Sequence, residues 1–587
     1  MQEKNAGSLS HVQHSLAHIL AMALLEHDKE AKLAIGPVIE NGFYYDFELS
    51  KPLSEADLPG LLLRMRELVK EGLSFQGKEI SAKEARKLFG DAPYKLELID
   101  EFEKSGEPIT VFSSGTFTDL CAGGHVKNTK EINPEAFTLE RIAGAYWRGN
   151  EKNKMLTRIY GLAFSTKEEL AAYLIRQEEA KKRDHKKLGK ELDLFVFSET
   201  VGKGLPLFTH NGSVIRRELE RFIVDEEIRR GYLHVYTPDI AKIELYEKSG
   251  HYPYYKDSMY APIEIDEERF MLRPMTCPHH FELYLSRPHS YRELPMRIAE
   301  LAQLYRYEQS GELSGLQRVR TFCLADSHII CLSEEEAMKE IDGALNLIEY
   351  ATSVLGLSQG THYWYRLSLG DRANPEKYYE NDSAWEKGET LMRELLSKRG
   401  DVFTEAKGEA AFYGPKIDIQ MRNVNGKEDT AFTVQYDFCM PDRFNLTYTD
   451  KDGAEKRAFV IHRSSIGAIE RIMAFLIEEC GGAFPLWLSP IQIAVLPISE
   501  KQEIYAKEIF SLLKDTDIRA KLFAENDTLG KKIRTAKENK IPYFVVIGEK
   551  EVAEKVITLE KREGASEKIT PAALIEKLTR EIKERTR

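Results

Sequence analysis

Two histidines four residues apart, His14 and His18 in HSLAH, and a cysteine and histidine four apart, Cys121 and His125 in DLCAGGHV, have types and spacing that could do chemistry. On a helix an i, i+4 pair shares one face, which suits a grip on one metal ion or one polar substrate. Together the pairs make a potential four-group constellation, with Lys95 and Asp119 as nearby candidates for orienting a water. A second set is Cys277 in PMTCP, His328 in DSH and His462 in IHR. One Cys with two His suits Zn²⁺ and leaves a coordination position open. Their wide separation along the chain equally allows three unrelated buried residues.

The stretch RIAELAQLYRYEQSGELSGLQRVRTFCLADSH, Arg297 to His328, reads as two strands joined by the loop QSGELSG. Period-two alternation puts Arg306 and Glu308 on one face of the outgoing strand, and Arg318, Arg320 and Phe322 on one face of the returning strand. Guanidinium groups beside an aromatic ring suit a planar polyanion such as ATP, because Arg meets phosphate oxygens in pairs and stacks on rings. A solvated hairpin with charged outward positions is the alternative. Further on, Gly467, Glu470 and Arg471 open an amphipathic helix that could carry one more cation toward a nucleotide.

At 587 residues and 42% hydrophobic content the chain can build several cores, roughly three to five at about 100–200 residues per domain. It has no secretory-type N-terminus and no apolar run of about 18 residues, so a cytoplasmic protein without membrane contact is expected. Six scattered cysteines fit a reducing compartment and no disulfide scaffold. A net charge of -12 excludes a protein that coats nucleic acid. Residues 488–587, however, hold 20 basic against 17 acidic side chains, which allows RNA contact through local patches.

Four stretches are expected to position these groups. Residues 1–163 open with the HSLAH helix, and 164–192 read as one long charged linker helix whose basic half is either a solvated face or an RNA contact. Residues 193–487 alternate strands and helices irregularly, with hairpins, implying a mostly antiparallel sheet with flanking helices. There the spacing predicts a helix from Ser213 to Arg230 stopped at Gly231, a strand LHVYTPDI halted by Pro238, and strands AFYGPKIDIQM and AFTVQYDF. Residues 488–587 alternate as a small α/β domain without a Gly-rich phosphate loop, which favours a macromolecular ligand. The fold class expected is multidomain α+β.

On these residues the chain resembles the threonyl-tRNA synthetases of bacterial type, class II aminoacyl-tRNA synthetases, over essentially its whole length. RRGYLHVYTPDI is similar to motif 1, RYEQSGELSGLQRVRTF to motif 2 and GAIERIMAF to motif 3; PMTCP, SGHYPYYKDSMY, DSHI, AFYGPKI and IHRSSIG are similar to the threonyl branch. The resemblance implies an N-terminal editing domain, a linker helix, a class II antiparallel catalytic sheet and a C-terminal anticodon-binding domain. ATP, L-threonine and tRNA(Thr) are the implied partners, with a homodimer through the catalytic domain, one Zn²⁺ per subunit and Mg²⁺ accompanying ATP. Carried onto this sequence, it puts zinc on Cys277, His328 and His462, and Arg306 on the α-phosphate and the amino acid carboxylate. Glu308 and Phe322 would meet adenine, and Arg318 and Arg471 the outer phosphates. Asp326 and Tyr413 would line the threonine pocket with Met275 and Gln435 close to the substrates; His251 would serve transfer to tRNA, and Lys416 would stand near the activated carboxylate. His14, His18, Lys95, Asp119, Cys121 and His125 match the family's site for hydrolysing mischarged seryl-tRNA, read as needing no obligatory metal, and Asn526 and Glu551 fall where anticodon bases are met. Such editing is expected on physical grounds, since serine lacks only a methyl, worth about 1–3 kcal/mol.

Departures from the family pattern are local. The small ubiquitin-like domain that usually comes first is expected to be absent. TFCLADSH stands for GFTQDDAH, so Leu324 and Ala325 replace Gln and Asp and a polar pocket contact is removed. CAGGH stands for CRGPH, PMTCPHH for PMNCPGH, and an Arg often found near Leu559 is missing.

Overall fold

The helix that carries HSLAH, Glu3–His27, seals Leu16, Leu20 and Leu24 against strands on one side and the helix Leu58–Glu71 on the other in the computed structural model, which describes residues 3–586. Each fully buried Leu contributes about 1.5–3 kcal/mol. This packing belongs to the first of two compact units, Met1–Glu178 and Glu179–Arg587. Its main sheet is antiparallel, in the order Lys32–Leu33, Gly42–Glu48, Met155–Ala163, Phe137–Tyr146, with Val38–Ile39 beside the second strand. A smaller sheet joins Gln76–Glu79, Thr110–Ser114 and Phe117–Leu120, and so delivers Asp119 and, one residue past the strand end, Cys121. The helix Pro93–Ser105, with Pro in its first turn and Gly106 left-handed at its end, presents Lys95.

The expected single linker helix is two helices, Lys167–Arg183 and His185–Glu191. Asp184 breaks them, because its side chain accepts the amides of Lys186 and Lys187 and so caps a new start.

In the second unit an eight-stranded sheet holds the centre. Its order is Leu233–His234, Met296–Tyr305, Thr321–Cys331, Phe459–Ala468, Glu428–Asp437, Lys416–Arg422, Tyr363–Leu369, Phe403–Lys407, antiparallel except for the two edge pairings. Register places Ile298 opposite His328, His328 opposite His462, His462 opposite Gln435, Gln435 opposite Lys416 and Lys416 opposite Ser368. Directly opposed residues share a sheet face, so one row of side chains crosses six strands. A parallel row holds Glu300, Asp326 and Ser464. The helices Glu334–Val354 and Ile469–Cys480 pack on this sheet and bury Ile341, Leu345, Ile348, Ile472 and Met473.

Three sequence expectations change here. The hairpin strands stop at the pair Tyr305 and Thr321, so Arg306, Glu308, Arg318 and Arg320 lie in the connecting loop and not on strand faces. That loop is fixed by the Arg320 guanidinium donating to Glu308 O and the Arg320 amide donating to Gly204 O. LHVYTPDI is not one strand: Leu233–His234 pairs with the central sheet, Thr237 and Asp239 turn away to bind Glu300 and Arg273, and Ile240 opens a separate short strand, Ile240–Lys242, against Glu268–Leu272. Gly467 is the penultimate residue of the strand Phe459–Ala468, with φ +66°, two residues before the helix begins at Ile469; a Cβ there would lie 2.3 Å from the Ala431 carbonyl oxygen. The predicted helix from Ser213 is found at His210–Arg229, capped by Thr209.

The C-terminal residues form a five-stranded sheet, Ala520–Leu522, Ile493–Pro497, Tyr543–Ile547, Ile557–Lys561, Ser566–Ile569, its first three strands parallel. Helices Glu503–Asp515, Leu529–Glu538 and Pro571–Glu584 accompany it. Among the described residues no helix is long and apolar enough to cross a membrane.

Candidate active site

A cavity of about 570 Å³ opens over the eight-stranded sheet. Its floor is the row already described: His328, His462, Gln435 and Lys416, with Asp326 and Leu324 two and four residues before His328 on the same strand. Cys277, first residue of the helix Cys277–Leu285, comes in beside them, and Met275 precedes it at the wall. One ligand atom each from Cys277, His328 and His462 falls within 4.8 Å of the others, and all three residues are buried. Residues 51 and 134 apart in sequence therefore meet, the two histidines because they are cross-strand partners.

The donor set fits a zinc ion. A thiol and two imidazoles are its preferred ligands, and a set of three leaves a position for substrate. Burial keeps His328 well below the usual histidine range, so its ring is neutral and has a lone pair to give. His462 Nε2 donates to Asp437 Oδ2 at 2.6 Å, and the Tyr413 ring stacks on it at 4.8 Å. Tyr413 Oη in turn donates to Gln435 Oε1 at 2.5 Å. Asp326 lies half-buried beside them with Oδ1 accepting the Ser327 amide, and desolvation pushes its carboxyl up.

The end of the cavity away from the Cys-His-His set is cationic. Arg306 donates to Pro274 O and stands 5.2 Å over the Phe322 ring. Arg471, from the first turn of Ile469–Cys480, donates to Gln317 O at 3.1 Å and Thr430 O at 2.6 Å. Burial lowers both guanidinium pKa values from their ordinary range. Each is half-buried and, among the described residues, bonded only to carbonyls, so its charge is partly desolvated without an anionic partner, which suits the site to an anion. Arg318 is paired with Glu308 and Glu312, at 2.7 and 3.3 Å. Lys416 Nζ is held 3.1 Å from Asp418 Oδ2, which also accepts from Ser368 and Arg366. His251 lies behind Cys277, fully buried, with Nε2 3.7 Å from Sγ and Nδ1 2.7 Å from Ser249 Oγ, and burial pushes it down to about 3.

Sequence reasoning missed several supports of this site. Glu470, expected only as part of a helix start, takes the Cys323 amide and Arg216. His185 of the linker reaches the hairpin loop: its Nε2 accepts the Leu316 amide at 3.1 Å while Nδ1 meets Glu478 at 2.7 Å. His280, Glu300 and Asp437 back the metal ligands. Only His280 carried a signal, since it follows Cys277 by one helical turn.

In the first unit His14, His18, Cys121 and His125 also converge within 4.8 Å. Cys121 Sγ lies 3.2 Å from His125 Nε2 and 3.5 Å from His14 Nε2, and the His125 ring stacks on Phe75 at 4.6 Å. Burial pushes His125 down to about 2, His18 well down, and Cys121 up to about 11, so these groups are neutral near pH 7. Beneath them a sealed ion pair joins Lys95 Nζ to Asp119 Oδ1 at 2.5 Å, and Tyr45 Oη donates to Asp119 Oδ2 at 2.5 Å. In the C-terminal domain Asn526 lines a cavity of about 290 Å³ together with Lys501 and Lys532. Glu551 is not among its walls; its carboxylate takes the Gly548 amide and the Thr558 hydroxyl.

An antiparallel sheet bearing half-buried arginines on a hairpin loop and on a following helix defines the class II aminoacyl-tRNA synthetases, and residues 260–480 match the family described as tRNA synthetase class II core domain (G, H, P, S and T). Residues 492–581 match an anticodon binding domain, and 109–160 the threonyl and alanyl tRNA synthetase second additional domain. A threonine–tRNA ligase of Geobacillus sp. (strain WCH70) is 48% identical over 558 residues, 94% of this chain and 85% of that protein. One from Anoxybacillus flavithermus is 47% identical over 581 residues, 98% of this chain and 89% of that protein. Among solved structures, the RNA binding domain of threonyl-tRNA synthetase from Cryptosporidium parvum Iowa II is similar with a TM-score of 0.64 at 35% identity, covering 68% of this chain and 98% of that one. The chain belongs to the threonine–tRNA ligase family.

Proposed function

We propose that this enzyme activates L-threonine with ATP and transfers it to the 3′ end of tRNA(Thr), and that its first unit hydrolyses seryl-tRNA(Thr). The observation that carries this reading is one cavity holding two half-buried guanidinium groups that make no ion pair among the described residues, next to a Cys-His-His set. A regulatory RNA-binding relative would have no use for such partly desolvated cations.

The threonine carboxylate attacks the α-phosphorus in line and pyrophosphate leaves. Arg306 and Arg471 stabilise the charge developing on the phosphate oxygens, Mg²⁺ accompanies the nucleotide, and catalysis is positioning plus preorganised cations. Adenine lies on Phe322, and Glu308 meets its edge once Arg318 leaves Glu308 for the outer phosphates. A ribose hydroxyl of the tRNA then attacks the carbonyl of the adenylate, and AMP leaves; Lys416 stands near that carbonyl. Cys277, His328 and His462 would hold Zn²⁺, which when bound supplies an open coordination position for the amino and hydroxyl groups of threonine. Asp326 accepts a hydrogen bond from the hydroxyl, so valine leaves a partly desolvated acceptor unpaired. Met275, Tyr413 and Gln435 close the amino acid end, and His251, which lies against Cys277, serves the transfer to tRNA.

Residues 1–163 act as the editing domain, 164–192 as linker, 193–487 as catalytic domain and 488–587 as anticodon-binding domain, where Asn526 offers an amide to unpaired bases and Glu551 a carboxylate. In editing, the neutral imidazoles and thiol of His14, His18, Cys121 and His125 hold the seryl ester, and the Lys95–Asp119 pair orients water. Homodimerisation is supported by exposed apolar side chains along motif 1, with Ile228, Leu233 and Tyr236 at 55%, 56% and 95% exposure. Six free cysteines suit a cytoplasmic location. The test is amino-acid-dependent ATP–pyrophosphate exchange with threonine, serine and valine, before and after zinc chelation. Exchange with threonine that chelation abolishes is expected; no exchange with any of the three would overturn the ligase reading, and exchange driven mainly by serine would locate the error at Leu324.

A further inference from the structure

Behind the Cys-His-His set runs a chain of hydrogen bonds, from His328 through His280 to an ion-paired carboxylate, in which a neutral His280 ring fixes the order of the protons. Glu300 is buried opposite Asp326 on the neighbouring strand. Its oxygens accept from Thr237 Oγ1 at 2.7 Å, the Thr237 amide at 3.2 Å and Arg273 at 3.0 Å. Although burial opposes it, donation from His280 and Thr237 and the Arg273 charge hold this carboxyl at about 2, so it is ionised and can only accept. His280 Nε2, 3.2 Å from Glu300 Oε2, must therefore carry hydrogen. That leaves a lone pair on His280 Nδ1, which lies 2.8 Å from His328 Nδ1. His328 Nδ1 then carries hydrogen, and its Nε2 is the free donor. The second imidazole is set the other way: Asp437 Oδ2 takes the Nε2 proton of His462, leaving Nδ1 free. Asp437 is itself pinned, its Oδ1 accepting the amides of Cys439 and Met440 at 2.8 and 2.9 Å.

We propose that Glu300, acting through His280, and Asp437 are the positioning carboxylates that decide which ring nitrogen each metal-ligating histidine presents, Nε2 of His328 and Nδ1 of His462. The proposal rests on the zinc reading above and adds to it residues that touch no substrate. A histidine whose far nitrogen donates to a fixed acceptor is held in one tautomer and one orientation, and loss of such a partner typically weakens metal binding 10–100-fold. Glu300→Gln is informative because it is nearly isosteric. Its carbonyl oxygen stays with Arg273 and Thr237, so its NH₂ faces His280, reverses that ring's protons and opposes the hydrogen on His328 Nδ1. His280→Leu removes the acceptor and keeps bulk, whereas His280→Gln restores an acceptor carbonyl.

The test measures zinc affinity of the full chain by competition with a chromogenic chelator, with melting of the zinc-free proteins as the control for folding. We expect Glu300→Gln and His280→Leu to weaken zinc binding 10–100-fold and His280→Gln to stay within about threefold of wild type, with every zinc-free form folded at the temperature of the titration even where loss of the buried Arg273–Glu300 pair lowers its melting point. Wild-type affinity in both damaging variants overturns the relay. So does weakening that His280→Gln fails to restore, or that melting shows to be general unfolding. A wild-type chain that binds no zinc overturns the metal reading together with the relay.

Discussion

Replacing Lys95 with Met leaves the Asp119 carboxylate buried with two neutral short donors, the Tyr45 hydroxyl and the Leu120 amide, and no cation to balance it. Lys95 and Asp119 are each 2% exposed, with 2.5 Å between charged atoms. At an effective dielectric of about 20, unit charges at that spacing attract by about 6–7 kcal/mol. Desolvating the two ions takes several kcal/mol back from each, so the intact pair adds little net stability while loss of one partner costs about 3–5 kcal/mol. For a unit of this size that lowers the melting temperature by roughly 10 °C. Calorimetry of the full chain should show the first unit melting early, and Lys95→Met with Asp119→Asn should recover much of the loss because no buried charge is stranded. Clearance of seryl-tRNA(Thr) should fall in both variants, while threonine-dependent ATP–pyrophosphate exchange, a property of the second unit, stays unchanged. Unaltered melting and unaltered clearance in Lys95→Met would refute the reasoning.

Other substitutions probe separate parts of the reading. Arg306→Gln should lower the rate of adenylate formation about 10²–10³-fold, as loss of one preorganised charge does, with little change in melting; a loss under threefold counts against its role at the phosphate. Cys277→Ser should reduce bound zinc and threonine activation together, measured by metal analysis and exchange on one preparation. His185→Leu removes the acceptor for the Leu316 amide and should raise KM for ATP about tenfold while leaving KM for threonine alone. Acid should destabilise the first unit. Burial, the main cause, together with repulsion from neighbouring His18 and His14, holds His125 near 2, against about 6.5 when unfolded. Below pH 6.5 the unfolded chain therefore binds the extra proton, and stability falls by about 1.4 kcal/mol per pH unit for that group until its folded pKa is reached. Melting that is flat between pH 6.5 and 4 would contradict this.

Much of the site was legible in the chain, and what was not has a common cause. HSLAH and CAGGH advertised themselves because helical spacing and a short loop keep their partners local. Cys277, His328 and His462 could be named by type but not joined, since only the pairing of His328 with His462 brings them together. Arg306 and Phe322 were grouped correctly on a false premise: strand alternation stops at Tyr305, and the Arg306 guanidinium reaches the ring from the loop. Glu300, Asp437 and His185 were overlooked because nothing local distinguishes a buried carboxylate or imidazole from a solvated one. Their roles arise from partners 20 to 293 residues away.

The single file of opposed side chains from Ile298 to Ser368 has one further consequence. Strand faces alternate except where a bulge intervenes, as opposite Leu324–Asp326 and Ile419–Gln420, so an odd insertion or deletion beside the row that no bulge absorbs would turn the remainder of that strand over. Either imidazole, or the glutamine and lysine beyond them, would then point into the helices instead of the cavity. Length changes in this family can therefore accumulate in connections such as residues 370–402 and 438–458, while the strands themselves must keep their count or take up the change in a bulge.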